Sequence, residues 1–175
     1  RDTTHLIVSA SVLNSLEPSW FPALMYVIYG AESASQRALE KFSFARIFVE
    51  YGVTEASICS TGKEIRAGDI VSIGSPIDNT KVYLVNDDMD LVPNGCVGEI
   101  CISGAGVTRG YLNKGNNENS RFMNSPWYDE DQEEAIFSRL YRTGDYGRYL
   151  TNGEIAFLGR RDSQVKLRGH RIDLC

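Results

Sequence analysis

Two short apolar runs, residues 25–29 and 46–52, flank a polar segment in the first third of the chain. In that segment Ser33 and Gln36 have the spacing of a helix capping box, and apolar residues recur after them at helical intervals. Strand, helix and strand at this separation predict a βαβ unit with two parallel, buried strands. Because ligands of open parallel sheets bind beyond the carboxyl ends of the strands, the residues after each run are candidate binding residues.

The hydrophobic pattern changes after about residue 66, where short alternating runs replace the longer apolar ones. Turn signals separate these runs, and Asn152-Gly153 predicts a hairpin that pairs residues 146–150 with 154–158. We therefore expect a small, mostly antiparallel β-domain with the shape of a distorted barrel. Residues 113–134 are polar and are expected to form a surface loop. The predicted fold class is α/β followed by β.

Composition and charge narrow the class of protein. The chain has 175 residues, of which 42% are hydrophobic, as in an ordinary globular protein. A net charge of −5 gives no reason to expect nucleic-acid binding, and no apolar run approaches the roughly 18 residues of a membrane span. The four cysteines lack metal-like spacing, so we expect reduced thiols in a cytoplasmic protein.

The stretch YGVTEAS, at the end of the second apolar run, combines an aromatic ring, a hydroxyl and a carboxylate. Thr54 and Glu55 could together position a hydrated magnesium ion, which prefers one or two carboxylates and phosphate oxygens. The ring of Tyr51 could stack on a nucleotide base. The alternative is a plain strand-to-helix turn in which Thr54 or Glu55 is the helix cap.

Asp145, in the stretch YRTGD, stands where the chain enters a predicted half-buried sheet. An ionised carboxylate needs hydrogen-bond donors in such a place, and the two adjacent hydroxyls of a ribose would satisfy both of its oxygens. The alternative is a turn in which Asp145 accepts hydrogen bonds from backbone amides.

Two further stretches carry weaker chemical signals. GAGVTRGYL lacks the Gly-Lys-Ser/Thr of a phosphate loop, and we interpret it as a structural turn. GRRDSQVKLRGHRID is basic, and the segments SQVKL and RID within it are predicted to pair as a hairpin with solvated charges.

The order and spacing of these stretches are more informative than any one of them. YGVTEAS, VGEICISGAGVTRGYLN, YRTGD and NGEIAFLGRRDSQVKLRGHRID resemble, in the same order, the motifs of nonribosomal peptide synthetase adenylation domains. Those domains belong to the acyl-adenylate-forming superfamily, which also includes acyl-CoA synthetases and firefly luciferase. The synthetase branch is favoured because acyl-CoA synthetases usually have His before Thr-Gly-Asp. The resemblance covers nearly the whole chain.

The resemblance implies a nucleotide site and gives a role to each matching position. Tyr51 would stack on adenine, and Asp145 would bind the ribose hydroxyls. Thr54 and Glu55 would be the catalytic residues, in contact with phosphate and magnesium, with Glu55 as the metal ligand. The implied nucleotide-binding residues are Gly30, Ala31, Tyr51, Gly52, Thr54, Asp145, Phe157 and Arg160.

The resemblance also implies an amino-acid pocket and a hinge. Glu50 would give the pocket an acidic wall, suited to a basic or hydroxylated side chain, and Asp162 would be the hinge of a small C-terminal domain. Val49 and Val53 depart from the family, which often has Asn and Pro at these positions. The implied pocket residues are Ile7, Val27, Tyr29, Glu50, Ile58 and Cys59.

An adenylation domain uses ATP to convert an amino acid or related carboxylic acid into an acyl-adenylate. It then loads the acyl group onto the phosphopantetheine thiol of a carrier protein. The implied cofactors are ATP, Mg²⁺ and that phosphopantetheine, and the implied partners are the acid and the carrier and condensation domains of one assembly line. The alternatives are a stand-alone acyl- or aryl-CoA synthetase and a degenerate nucleotide-binding scaffold.

The same resemblance divides the chain into three parts. Residues 1–66 would end an α/β subdomain with the adenine and substrate pocket, and residues 67–161 would form a β-barrel-like subdomain with the ribose site. Residues 162–175 would be the hinge and the start of a truncated C-terminal domain. We expect a fragment that is inactive alone, with the phosphate loop upstream and the catalytic Lys downstream.

Overall fold

Within the residues that the computed structural model describes (2–70, 72–113, 120–131, 133–161, 164–167 and 170–173) the chain forms three β-sheets and two short α-helices. The first sheet contains, in spatial order, β1 (His5–Ser9), β2 (Tyr26–Gly30), β3 (Arg46–Tyr51), β4 (Thr61–Ile65) and β5 (Ser75–Pro76). The helices are α1 (Ala10–Ser15) and α2 (Gln36–Lys41), and one-turn 3₁₀ helices span Pro18–Trp20, Thr54–Ala56 and Ala135–Phe137.

The second sheet has the spatial order β10-β9-β7-β6, with β8 paired to β9. Its strands are β6 (Thr80–Val85), β7 (Val97–Gly104), β8 (Phe122–Asn124), β9 (Arg139–Tyr149) and β10 (Ile155–Arg160). The third sheet is the predicted basic hairpin, made of β11 (Gln164–Leu167) and β12 (His170–Asp173).

The predicted βαβ unit is confirmed as β2, α2 and β3, with β1, β2 and β3 parallel and β4 antiparallel to β3. The helix begins two residues later than the capping-box spacing predicted, because Ser35 rather than Ser33 is its N-cap. The Ser35 hydroxyl accepts from the Ala38 amide and also donates to Asn14 of α1 at 2.8 Å. A contact with the other helix therefore fixes the cap position.

The two helices cover one face of the first sheet. Leu13 and Phe42 from the helical side are fully buried there, together with Val27 and Ile47 from the strands. The opposite face carries the alternate residues, which in β2 and β3 are half-buried except for the exposed Arg46. Ile7 on the same face of the neighbouring β1 is 74% exposed. The prediction that both strands are buried therefore holds for the helix-covered face alone.

The second sheet is antiparallel, and the hairpin predicted at Asn152-Gly153 is confirmed by the pairing of β9 with β10. In the described part of the chain this sheet is open, so the expected barrel does not close. The reason lies at the start of β10, where Ile155 exchanges backbone hydrogen bonds with Ile73 and Gly74 instead of with β6.

The expectation that the polar residues 113–134 form a surface loop is wrong for part of the stretch. Its described part contains β8, which pairs with β9. Phe122 in this strand packs against Tyr141 with ring centroids 4.7 Å apart, which explains why the segment adds to the sheet.

The first and second sheets meet along a seam formed by residues 63 and 72–74 with residues 154–155. Lys63 Nζ lies 2.9 Å from Glu154 Oε2, and the Ser72 hydroxyl donates to the same oxygen at 2.6 Å. At the end of β3 the chain leaves the helix-covered core, and Tyr51 and Val53 pack in the core of the second sheet. The seam therefore brings the carboxyl end of β3 up to β9.

Candidate functional site

A cleft of about 410 Å³ lies at the carboxyl ends of β1, β2 and β3, as the parallel strands predicted. Arg160, at the end of β10, also lines it, so both large sheets contribute to the cleft. The residues predicted from the sequence that line it are Ile7, Tyr29, Gly30, Ala31, Glu50, Gly52, Thr54, Ile58 and Arg160.

Close backbone contacts shape this cleft. A Cβ atom on Gly52 would lie 2.0 Å from the carbonyl oxygen of Ile58, so only glycine fits there without a shift. Ala31, Ser57 and Ile58 have φ angles of 69°, 56° and 76°, which non-glycine residues rarely adopt. Such conformations persist only where the surrounding structure holds them, and they cluster at ligand sites.

A smaller cavity, of about 70 Å³, adjoins the same strand ends. Tyr29, Ala31 and Glu50 line both cavities, and Tyr51 and Phe157 line the smaller one. The rings of Tyr51 and Phe157 lie 5.9 Å apart between centroids. The arrangement provides aromatic surface beside the backbone of Ala31.

Asp145 lies at the centre of a buried hydrogen-bonded group between the two sheets. It has no exposed surface. Its Oδ2 accepts from the Tyr51 hydroxyl at 2.6 Å, and its Oδ1 lies 2.7 Å from Nη1 of Arg160. Its backbone amide donates to the Thr143 hydroxyl at 2.9 Å. Side chains from β3 and β10 therefore stabilise this buried carboxylate of β9.

Tyr51 remains a hydrogen-bond donor in this group over a wide pH range. Burial raises the pKa of Tyr51 well above its ordinary value of 10.0, and the charge of Asp145 raises it further. A protonated phenol can donate to a carboxylate, which only accepts.

Thr54 and Glu55 occupy the same 3₁₀ turn but have different surroundings. Thr54 is exposed and lines the cleft, whereas Glu55 is 4% exposed and accepts a hydrogen bond from the Tyr111 hydroxyl. Neither is a helix cap, because the turn begins after Val53. The helix-cap alternative considered for this stretch is therefore wrong.

Comparison with known proteins agrees with this geometry. A family model described as "AMP-binding enzyme" matches residues 4–112, more than half of the chain. The chain belongs to the AMP-binding enzyme family. Its similarity to nonribosomal peptide synthetases, predicted from four motifs, is also confirmed by the relatives of this chain.

Bacitracin synthase 3 of Bacillus licheniformis is 38% identical over 172 residues, which are 98% of this chain and 3% of that protein. Tyrocidine synthase 1 of Brevibacillus parabrevis is 37% identical over 179 residues, covering 99% of this chain and 16% of that protein. A solved structure of holo-PA1221, an NRPS protein containing adenylation and PCP domains, has a TM-score of 0.86 and 28% identity, over 98% of this chain and 31% of that one. The chain thus spans a small part of each relative.

Two residues predicted for the amino-acid pocket, Val27 and Cys59, do not line the cleft. Val27 lies in the helix-covered core, because it alternates along β2 with Ile28, which does line the cleft. Cys59 lines a neighbouring cavity with Glu50. Burial and the charge of Glu50 raise the pKa of the Cys59 thiol to about 11. Asp162, the predicted hinge, lies outside the described residues.

The sequence did not predict the contacts of Tyr111 and Thr143 in this site. Tyr111 lies 56 residues from Glu55 along the chain, and no local pattern links the two. Thr143 stands two residues before Asp145 in YRTGD. At that spacing a hydroxyl can accept a hydrogen bond from the Asp145 amide, so the sequence did contain a signal for this contact. The described ranges contain no cluster of three or more His, Cys, Asp or Glu suited to a metal, and no helix in them could cross a membrane.

Proposed function

We propose that this chain is part of an adenylation domain that activates an amino acid or related carboxylic acid with ATP in nonribosomal peptide synthesis. The observation that carries the proposal is the buried Tyr51–Asp145–Arg160 group beside a cleft of about 410 Å³. The named relatives are a bacitracin synthase and a tyrocidine synthase, and the similar solved structure is that of an NRPS protein with an adenylation domain, which supports the same function.

In this proposal Asp145 binds the ribose hydroxyls. A carboxylate has about four acceptor positions, so the bonds from Tyr51 and Arg160 leave capacity for further donors. Arg160 both lines the cleft and pairs with Asp145. Because Asp145 has no exposed surface, the ribose would reach it only if Arg160 moved aside, and the ribose would then lie between Arg160 and Phe157. The base would occupy the space between the Tyr51 ring and the backbone of Gly30 and Ala31.

Mg²⁺ fits the donor chemistry of the turn, in which the Thr54 hydroxyl lines the cleft and the next residue, Glu55, carries a largely buried carboxylate. Magnesium usually binds one or two carboxylates together with substrate phosphates rather than an all-protein cage. Glu55 would hold the ion, and Thr54 would donate a hydrogen bond to a phosphate oxygen. Bound with ATP, the ion would offset negative charge on the phosphates.

The chain's own residues would position the reactants for two steps. In the first, a carboxylate oxygen of the acid bonds to the α-phosphorus of ATP, and the bond to pyrophosphate breaks. In the second, the phosphopantetheine sulfur of a carrier domain bonds to the acyl carbon, AMP leaves, and the thiol proton is released. Thr54 and Glu55 are the proposed catalytic residues, and Gly52 lines the cleft where its lack of a side chain permits close contact with the Ile58 backbone.

The acid would bind between Ile7, Tyr29 and Ile58, with the Glu50 carboxylate as its polar wall. A negative side chain on a partly buried wall favours a basic or hydroxylated substrate. We further propose that this chain works in the cytoplasm, in one assembly line with carrier and condensation domains. A C-terminal domain would rotate about Asp162 between the two steps. Residues 1–66, 67–161 and 162–175 are the proposed structural divisions.

ATP–pyrophosphate exchange on the complete adenylation domain, with a panel of acids, tests this function. The Asp145→Asn variant is expected to raise the KM for ATP about tenfold or more, since charged hydrogen bonds contribute about 1.5–3 kcal/mol each. Asp87→Asn is the matched control, because Asp87 is exposed and pairs only loosely with Arg161 at 3.2 Å. The proposal would be contradicted if none of the acids in the panel supported exchange, or if the two variants had equal KM values for ATP.

A second variant tests the same site in case Asp145→Asn fails to fold. Phe157 is 37% exposed and flanks the proposed ribose position, so Phe157→Ala should fold and should still weaken ATP binding several-fold.

A further inference from the structure

The stretch GAGVTRGYL, interpreted from the sequence as a structural turn, lies against the turn that carries Glu55. We call residues 104–111 the clamp loop. The Thr108 amide donates to the Glu55 carbonyl oxygen at 2.9 Å, and the Ser57 hydroxyl donates to the Gly106 carbonyl oxygen at 2.8 Å. A Cβ atom on Gly106 would lie 2.9 Å from a carbonyl oxygen of the turn, so the two backbones are in close contact.

The clamp loop holds a backbone that would not be stable without support. Ser57 and Ile58, directly after the Glu55 turn, are consecutive non-glycine residues with positive φ. Residues in this region persist where neighbouring structure fixes them. The Thr108 amide restrains the chain at Glu55, just before the strained residues, and the Gly106 carbonyl oxygen accepts a hydrogen bond from the side chain of Ser57, the first of them.

Tyr111 extends the clamp from the backbone to the carboxylate itself. Its hydroxyl donates to Oε1 of Glu55 and lies 3.4 Å from the Tyr141 hydroxyl. Its ring packs edge-on against Phe122 with centroids 5.5 Å apart, and Phe122 packs in turn on Tyr141. The hydroxyl position is therefore fixed by ring packing, and a phenylalanine ring would fill the same space.

We propose that Tyr111 is a positioning residue that holds the Glu55 carboxylate in one orientation for binding of magnesium-bound ATP. This inference rests on the proposed function of Glu55. One phenol bond occupies one of about four acceptor positions of a carboxylate, so it is compatible with a metal contact. A carboxylate that is already oriented loses less freedom on binding, which is how a supporting contact raises affinity.

Calorimetric titration of ATP into the complete adenylation domain, once with Mg²⁺ and once with EDTA, separates this role from a merely structural one. Tyr111→Phe is expected to weaken ATP binding about five- to tenfold with Mg²⁺ and to leave it unchanged with EDTA. The kcat for pyrophosphate exchange should fall, while the KM for the acid stays the same. Tyr149→Phe is the matched control, because it removes a hydroxyl bond to Val82 elsewhere in the second sheet.

Glu55→Gln, measured in the same way, distinguishes failure of this inference from failure of the proposed function. If Glu55→Gln leaves the magnesium dependence unchanged, the proposed role of Glu55 is wrong, and that of Tyr111 with it. If Glu55→Gln alters it while Tyr111→Phe behaves like Tyr149→Phe, only the inference about Tyr111 is overturned. The double variant should match Glu55→Gln, since the two residues act through one contact.

Should Tyr111→Phe fail to fold, Ser57→Ala provides the test, because it removes the clamp-loop bond at an exposed residue. We expect a smaller loss of the magnesium-dependent affinity, and an unchanged affinity overturns the proposal.

Discussion

The hydrogen bond between Tyr51 and Asp145 gives a prediction whose size follows from the structure. Tyr51→Phe removes only the hydroxyl and leaves the ring in place. The lost bond is a short one, 2.6 Å, to a carboxylate without exposed surface. Bonds to charged groups contribute about 1.5–3 kcal/mol, and the carboxylate left behind has lost a donor where water does not reach it. We expect a loss of about 2–3 kcal/mol in the free energy of unfolding.

Tyr149→Phe sets the scale for that measurement. The Tyr149 hydroxyl donates to the neutral carbonyl of Val82 at 2.8 Å, so its removal should cost only about 0.5–1.5 kcal/mol. Both variants of the complete domain can be unfolded in urea and followed by fluorescence. A loss for Tyr51→Phe no larger than that for Tyr149→Phe would refute the reasoning, because it would mean that Asp145 does not depend on the phenol.

The pH dependence of the Tyr51→Phe effect is a further check on the same bond. The pKa of folded Tyr51 is raised above its ordinary value of 10.0, so the stabilising phenol is fully present below pH 10. Above pH 10 the unfolded tyrosine ionises while the folded one does not, and the advantage of the wild type shrinks. The difference in unfolding free energy between wild type and variant should therefore be constant from pH 6 to pH 9, which lies below the ordinary tyrosine pKa of 10.0.

Two further predictions concern carboxylates at the seam and in the cleft. Hydrogen bonds from Ser72 and Lys63 lower the pKa of Glu154 below its ordinary 4.5, so Glu154→Gln should destabilise the domain by about 1–2 kcal/mol at neutral pH. That difference should diminish as pH falls below 4.5, and a difference that persists in acid would contradict the assignment. Glu50→Ala should shift the pyrophosphate-exchange profile toward apolar acids, with Glu64→Ala as control. Identical profiles for Glu50→Ala and wild type would remove Glu50 from the pocket.

Local patterns predicted those parts of the fold that depend on neighbours in sequence. The βαβ unit follows from the apolar runs around a polar helix, and the hairpin follows from Asn152-Gly153. Interactions distant in sequence were not predictable in this way. Nothing near Ser33 indicates that Ser35 would be the helix cap because it hydrogen-bonds to Asn14. Nothing in β10 indicates that Ile155 would form backbone hydrogen bonds with the segment before β5.

The same division applies to the site. The cleft could be placed from the strand ends, and the resemblance supplied Tyr51 and Asp145. Their direct bond was not predicted, because 94 residues separate them along the chain. Strand alternation places Val27 and Ile28 on opposite faces of the sheet, but the sequence does not say which of these faces the helices cover. The assignment of Val27 to the pocket was wrong for that reason.

The seam between the sheets has a consequence for synthetases built by recombination. An exchange point near residue 66 looks attractive, since the hydrophobic pattern changes there. It would, however, separate Lys63 from Glu154 and Tyr51 from Asp145, and each half would then meet a foreign partner. Because these bonds join charged or polar groups with little contact with water, a mismatch would leave a buried group without its donor. A graft of the cleft should therefore include residues on both sides of the seam, as far as Arg160, or keep these two pairs identical in donor and recipient.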